Sequence, residues 1–398
     1  MRIKNQYDVI VVGCGPAGSS TAKSCAEQGL DVLVLDRNLE IGTPVRCGEG
    51  ISDNSVKELR LKIPSSCIAQ KIYGAVAYSP SEKSVHIKFP GTKGYIIERK
   101  MFDKWLAKQS SLAGATIIAH SNVVDIIKKG DYVAGVKAEI LGEQNREISS
   151  SIVVAADGVE SLVLRKSGIK SEKKPLLVDS GYQYEMENIK LKHPSLIELY
   201  FGNKIAKRGY VWVFPKSKTS ANVGIGIAGA SERSAKAYLD EWIAKHEMFE
   251  NASIIEVNGG CIPVGGLMKN MTGNGIIGIG DAVNQVNPIH GGGIAESIKA
   301  SRIAGPIIAS AIKKGDVSGK FLARYDREWW DKYGNKLKNV EKVREYFEKL
   351  TDDQLEDLAD ILSGDILVEL SHGKSLAKLI QLYARFKAKG IKRKLFGK

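Results

Sequence analysis

The sequence has five cysteines, Cys14, Cys25, Cys47, Cys67 and Cys261, an odd number with no CxxC spacing. That excludes a disulfide framework and offers no ligand pattern for zinc or an iron-sulfur centre, so no metal site is expected. No apolar run approaches the roughly 18 residues of a membrane-spanning helix. The stretch from Met1 to Gln6 leads straight into the first predicted strand without room for a signal peptide. These absences point to a reducing, cytoplasmic setting, with at most peripheral contact on the inner face of the cell membrane. There is no internal repeat, no low-complexity tract and no interleaved basic and aromatic pattern, so nucleic acid is not an expected partner.

What is present is enough chain, 398 residues with 43% hydrophobic content, to build two or three packed layers or domains. The net charge of +13 is unevenly spread. From Lys374 to Lys398 there are nine Lys or Arg and no acid, whereas Glu341 to Asp365 holds nine acids against three bases. Within the basic segment Leu376, Leu379, Ile380, Tyr383 and Phe386 recur at helical spacing. Such a helix either packs on a core with a solvated basic face or attaches to an anionic membrane or partner.

The apolar run Tyr7 to Val12 enters Gly13-Cys14-Gly15-Pro16-Ala17-Gly18, and a second run, Val32 to Leu35, ends on Asp36. A buried strand, a glycine turn, a helix and a second strand closing on a carboxylate have the form of an ADP-binding βαβ unit. Gly13 permits the tight turn, Gly15 lets backbone amides approach a pyrophosphate, and Gly18 allows close packing of helix on sheet. The helix N-terminus favours phosphate, and Asp36 is placed to accept from the adenosine ribose.

Further along, strands are predicted over 72–78 and 85–89, a helix over 102–112, and strands over 116–119, 132–140 and 152–156. Residues 176–264 read as strand-rich, with strands at 177–185, 196–201, 210–214 and 223–228 interrupted by a helix at 235–246. A short strand at 275–280 and a helix at 292–311 follow, and the rest reads as helical, with Thr351 and Gln354 forming a capping box. The expected division is a discontinuous cofactor domain (1–71, 99–175 and 265–312), a substrate sheet domain (72–98 and 176–264) and a helical C-terminal domain (313–398).

Three later segments turn the dinucleotide reading into a flavin reading. Gly275-Ile-Ile-Gly-Ile-Gly280-Asp281-Ala282, then Pro288 and Gly291-Gly292-Gly293, is a strand, an acidic turn and a glycine-rich helix start. It puts Asp281 beside a ribityl chain and aims the Gly292, Gly293 and Ile294 amides at the pyrimidine edge of a flavin. Ala155-Ala156-Asp157-Gly158 with Arg165, and Arg99 to Asp103 with Leu106, complete the pattern. Together these resemble the FAD-dependent superfamily built like para-hydroxybenzoate hydroxylase. Pro44-Val-Arg46-Cys47-Gly48-Glu49-Gly50 and Tyr210-Val-Trp212-Val-Phe214-Pro215-Lys216, with Gly224-Ile-Gly226 following, narrow the likeness to the geranylgeranyl reductase family. The length and helical C-terminal part look closest to its archaeal digeranylgeranylglycerophospholipid reductases. Two departures are visible: many relatives carry Glu where Asp36 stands, and Ser217 stands where Gly is frequent.

The resemblance implies an α/β fold: an FAD-binding Rossmann-like domain, an inserted antiparallel-sheet substrate domain and a helical C-terminal region. It implies FAD, and reduction of isolated prenyl double bonds in membrane-lipid precursors. By the same match Ala17, Asp36, Cys47, Gly48, Gly50, Arg99, Val123, Asp281, Gly293 and Ile294 would line the cofactor site. Tyr210, Trp212 and Phe214 share one face of a strand. Such a stripe is either plain core or the lining of a slot for an isoprenoid chain. An isolated alkene has no carbonyl to polarise it, so the expected chemistry is hydride from N5 of reduced FAD to one carbon and a proton to the other. Cys47 is the first candidate for shaping that proton step, and a small apolar filler otherwise; His290 is a weaker candidate that could simply hold the cofactor loop. Without a second GxGxxG unit the electrons must come from outside, from a ferredoxin or from NAD(P)H. An FAD monooxygenase or halogenase, or a lipid carrier that keeps FAD as structure, would share much of this pattern.

Overall fold

In a computed structural model, residues 3–88, 91–171 and 173–371 are described, together with 377, 380, 381, 384, 387 and 388. Leu376, Leu379, Tyr383 and Phe386 of the basic apolar stripe lie outside the described residues, and Ile380 is exposed.

The first strand, Gln6–Val12, pairs in parallel with Val32–Leu35 on one side and Glu143–Ala155 on the other. Val32–Leu35 continues to Thr116–Ile118, and Glu143–Ala155 to Ile276–Gly278, both in parallel. Strands covered on both faces need no polar alternation, and all four residues of Val32–Leu35 are buried. The helices Pro16–Ala26, Arg99–Leu112 and Ile294–Lys314 cover the sheet. Pro16 suits the first turn, where its missing N–H costs nothing. Small residues let the first and last of these helices touch closely: the Ser301 hydroxyl donates to the Ala17 carbonyl at 3.0 Å, and a Cβ on Gly305 would lie 2.1 Å from Ser24 Oγ.

A second, seven-stranded sheet runs in the order Ser253–Ile262, Asp179–Glu187, Ala221–Ala228, Tyr210–Pro215, Leu196–Phe201, Gly74–Tyr78, Ser84–Lys88. One face packs Val211, Val213, Val223 and Ile225 against Leu239 and Trp242 of the helix Ala235–Ile243. The other faces the first sheet's glycine turns across a cavity.

The sequence reading needs several corrections. The run expected over 72–78 is two strands, Ile68–Ile72 and Gly74–Tyr78, broken at Tyr73, and they belong to different sheets. Gly94–Ile97, expected in the substrate sheet, pairs instead with Gly50–Ser52 and Ile68–Ile72 in a three-stranded sheet beside the Cys47 loop. The helix Gly319–Trp329, expected in a separate C-terminal region, buries Leu322, Tyr325 and Trp329 in the core of the first sheet. Two of the longer strands, Ser121–Lys129 and Ser253–Ile262, and the short ones Gly50–Ser52, Gly94–Ile97 and Thr272–Gly273 were not anticipated as strands. The capping box is present: the Gln354 amide donates to Thr351 Oγ1 at 3.3 Å, and the Thr351 amide to Gln354 Oε1 at 2.9 Å.

Candidate active site

One continuous cavity of about 1250 Å³ separates the two large sheets. Gly13, Gly15, Ala17, Asp36, Cys47, Gly48, Gly50, Arg99, Val123, Asp157, Asp281, Gly292, Gly293 and Ile294 all line it. So do Tyr210, Trp212, Phe214 and His290. Gly18 is set back from it, and its role is packing: a Cβ there would lie 1.8 Å from the Gly13 carbonyl oxygen.

The turn after the first strand is shaped by its glycines. Gly13 has φ +97°, and a Cβ on it would lie 2.3 Å from the Ala156 carbonyl oxygen. A Cβ on Gly15 would meet nothing within 4 Å, so this residue opens onto the cavity. Asp36 is buried and fixes the turn, accepting from the Cys14 amide at 2.7 Å and the Asn38 amide at 2.9 Å. Asp157 accepts from the Val163 amide at 2.9 Å through one oxygen. Its other oxygen, Oδ1, is buried and has no hydrogen-bond partner among the described residues. Burial pushes the carboxyls of Asp157 and Asp281 up, against the pull of Arg99 and Lys173 on the latter. Lys173, which donates to the Ala282 carbonyl at 2.9 Å, is pushed down by burial to about 8.

An open glycine, a waiting acceptor and the start of a long helix at Gly293–Ile294, on one wall of one cavity, fit the phosphates, ribose and ring of FAD. Gly13, Gly15 and Ala17 would hold the pyrophosphate and Asp36 the ribose. Asp281 and the Gly292 to Ile294 amides would hold the flavin end.

Opposite, the strand Tyr210–Pro215 turns Tyr210, Trp212 and Phe214 into the cavity and buries Val211 and Val213 on its far side. Adjacent rings stand 5.9 and 6.2 Å apart, centroid to centroid. The stripe is therefore cavity lining and not interior core. Trp212 lies flat on its cross-strand partner Gly224, where a Cβ would be 2.3 Å from the indole. Phe214 covers the other motif: a Cβ on Gly48 would be 3.0 Å from its ring and one on Gly50 3.4 Å.

Polar bonds fasten the same two motifs. Trp212 Nε1 donates to Gln183 Oε1 at 2.9 Å, and Gln183 Nε2 donates to the Cys47 carbonyl at 3.2 Å. Glu49 is buried and accepts from the Arg99 amide at 2.7 Å, Asn222 Nδ2 at 2.7 Å and Lys216 Nζ at 3.2 Å. Lys216, also buried, reaches Glu98 at 2.8 Å and Glu185 at 2.9 Å. Burial pushes the Glu49 carboxyl up; the three carboxylates outweigh the same burial on Lys216 and hold its ammonium above the ordinary lysine range. Sequence reasoning missed Glu49, Gln183, Lys216 and Asn222 as working residues. The signal was there for two of them, since Glu49 and Lys216 sit inside the two motifs.

Cys47 is half-buried, and its sulfur accepts from the Glu49 amide at 3.2 Å. Arg99, held by Asp103 through two bonds of 2.9 and 2.8 Å, also faces that sulfur. Burial opposes the Arg99 charge, but its pairing with Asp103 keeps the guanidinium above its usual range. His290 Nδ1 accepts from the Gly292 amide at 3.1 Å, so this ring braces its own loop, and the Tyr210 hydroxyl donates to the His290 carbonyl at 3.0 Å. Among the described residues no group of His, Cys, Asp and Glu could hold a metal.

Comparison with known proteins agrees with this geometry. Residues 178–262 match the family described as geranylgeranyl reductase catalytic domain, and residues 8–172 match FAD dependent oxidoreductase. The digeranylgeranylglycerophospholipid reductase of Methanocaldococcus jannaschii is 38% identical, over 95% of this chain and 96% of its own. The enzyme of that name from Methanosarcina mazei is 39% identical, over 97% of this chain and 94% of its own. A crystal structure of a geranylgeranyl bacteriochlorophyll reductase-like protein from Thermoplasma acidophilum superposes with TM-score 0.88 at 33% identity, covering 96% of this chain and 99% of that one. A flavin-dependent brominase superposes with TM-score 0.73 at 18% identity over 96% of this chain and all of its own, a likeness of fold alone. With the Cys47 and Trp212 motifs in contact beside one cavity and relatives aligned along nearly its whole length, this chain belongs to the digeranylgeranylglycerophospholipid reductase family of FAD-dependent reductases.

Proposed function

We propose that this protein saturates isolated carbon–carbon double bonds in the geranylgeranyl chains of glycerophospholipids. The observation that carries the reading is the interlock of the Cys47 loop with the Trp212 strand, which sets an apolar aromatic wall directly against the residues that fit FAD. Bound and reduced, FAD supplies the hydride. The chain's own residues do the rest. Tyr210, Trp212 and Phe214 take up the apolar chain, stabilised by roughly 25 cal/mol per Å² removed from water. Their ring faces tolerate positive charge building at the more substituted alkene carbon. Gln183, by holding both the indole of Trp212 and the Cys47 carbonyl, keeps wall and loop in register.

Cys47 is assigned the proton step, because its sulfur is half-buried in the cavity between the Glu49 amide and Arg99. Cys47→Ala should keep its flavin and lose turnover by about a hundredfold, the usual scale for a positioned acid; full turnover would remove Cys47 from the chemistry. Electrons come from an external reductant, a small ferredoxin or NAD(P)H. Among the described residues no helix is long and apolar enough to cross a membrane; on this reading the protein meets its lipid at the membrane surface. The direct test is anaerobic incubation of dithionite-reduced, FAD-loaded protein with a geranylgeranyl glycerophospholipid. A mass gain of two hydrogens per saturated bond is expected, and an unchanged lipid would refute the reading.

A further inference from the structure

We propose that the length of prenyl chain accepted is set at the arm of the cavity remote from the cofactor turn, with Ala75, Ala77 and Val368 as specificity-determining residues. The inference rests on the polyprenyl reading above. Neighbouring strands place Trp212, Leu199 and Ala77 in one row across the sheet, and Ile197, Ala75 and Ile87 in the next. From the Trp212 strand to the Ile87 strand is three strand spacings, about 14 Å. Along the first row the side chains shrink from Trp to Leu to Ala, so the floor falls away from the aromatic wall and leaves room for a chain.

The roof comes from the helices Asp352–Ile361 and Gly364–Ser371, which present Leu355, Leu367, Val368 and Leu370 to the cavity. Gly364 seats this roof on the edge strand Ser84–Lys88: a Cβ there would lie 2.7 Å from the His86 carbonyl oxygen and 3.1 Å from Ile87 Cα. The arm is therefore closed at the Ile87 edge by main chain against main chain. Rim bonds hold the roof in place. Glu356 accepts from the hydroxyls of Ser79 at 3.0 Å and Ser81 at 2.8 Å, Lys83 pairs with Asp360 at 3.0 Å, and the Asn203 amide donates to Asp352 at 2.6 Å.

The side chains that floor and roof the arm are apolar, whereas Arg208, Arg344 and Glu348 line the cavity at the Tyr210 end. A hydrocarbon tail belongs in the first place and a charged headgroup does not. Enlarging Ala77 should fill the arm from its floor, and trimming Val368 should free room beneath its roof for a longer chain.

The test uses the full-length, FAD-loaded enzyme, reduced with dithionite under anaerobic conditions, with farnesyl, geranylgeranyl and geranylfarnesyl diphosphates as probes. Ala77→Leu should lower the kcat/KM ratio of geranylgeranyl over farnesyl about tenfold, chiefly through KM, the scale of a misfit of a few methylenes in an apolar pocket. Val368→Ala should raise the ratio of geranylfarnesyl over geranylgeranyl. Equal losses on both chains in Ala77→Leu would overturn the proposal. If that variant does not retain flavin, an unchanged chain preference in Val368→Ala overturns it instead. A wild-type enzyme that reduces neither these probes nor a geranylgeranyl glycerophospholipid refutes the polyprenyl reading itself. One that reduces them while neither variant shifts the ratios refutes only the assignment of length.

Discussion

The two walls of the cavity are built by different means. The cofactor wall is main chain: glycines that admit positive φ or close approach, a helix start, and a few carboxylates pinned by backbone amides. The wall proposed for the lipid is side chain, assembled from four strands and two helices that are distant in sequence. Main-chain recognition needs particular residues at particular spacings, whereas an apolar wall needs only apolar area. The first wall should therefore fail abruptly on small changes and the second by degrees.

The largest effect is expected at the first wall. Gly13→Ala places a Cβ 2.3 Å from the Ala156 carbonyl oxygen at φ +97°, so the turn must rearrange and the purified protein should carry no flavin absorbance. A yellow variant with normal stoichiometry would break the contrast. Next is the junction between the walls. Lys216→Met leaves the buried Glu49 without its cation and should cost about 3–5 kcal/mol in denaturant unfolding. Adding Glu49→Gln should recover a good part of that loss, since the two groups share one network.

At the second wall, Gly224→Ala forces the Trp212 indole aside and should destabilise by about 1–3 kcal/mol with flavin retained, a graded overpacking response. Loss of flavin in this variant would mean that the walls are not separable. The last effect depends on pH and lies at Asp179, which burial pushes up to about 7 despite Arg344 and Arg208 nearby, with Glu348 adding to the rise. Its folded form binds more protons than its unfolded form between 3.8 and about 7, so its contribution is present at low pH and is lost as pH rises through about 7. Asp179→Asn should therefore melt higher than wild type above that pH, with the gap closing as the pH falls toward 3.8.

The same contrast explains what could be read from the sequence. Val9 to Val12 and Val32 to Leu35 are fully covered strands, so they appear as unbroken apolar runs, and Gly13, Gly15 and Asp36 fall at the spacing their task demands. Tyr210, Trp212 and Phe214 alternate, so their common face was legible; that it lines a cavity was not, because an alternating strand looks the same against a helix or against a ligand. Ser121–Lys129 escaped because it carries Asp125, Lys128 and Lys129 among its apolar residues, and Ser253–Ile262 because Ile254, Ile255 and Val257 are exposed on an edge strand and follow no inward pattern. The roof was hidden by charge. The nine acids between Glu341 and Asp365 carry no pattern that announces a cavity roof, yet Glu356 and Asp360 are the rim bonds that hold Leu355 and Val368 over the cavity.

The central claim, a reducing cofactor wall facing a wall for an alkene chain, is tested most directly by the colour of the flavin. FAD-loaded protein, reduced and freed of excess reductant under strict exclusion of oxygen, is mixed with a geranylgeranyl glycerophospholipid while flavin absorbance is followed. The account predicts that absorbance returns in step with one saturated double bond per flavin. Absorbance that stays bleached until oxygen is admitted would contradict it.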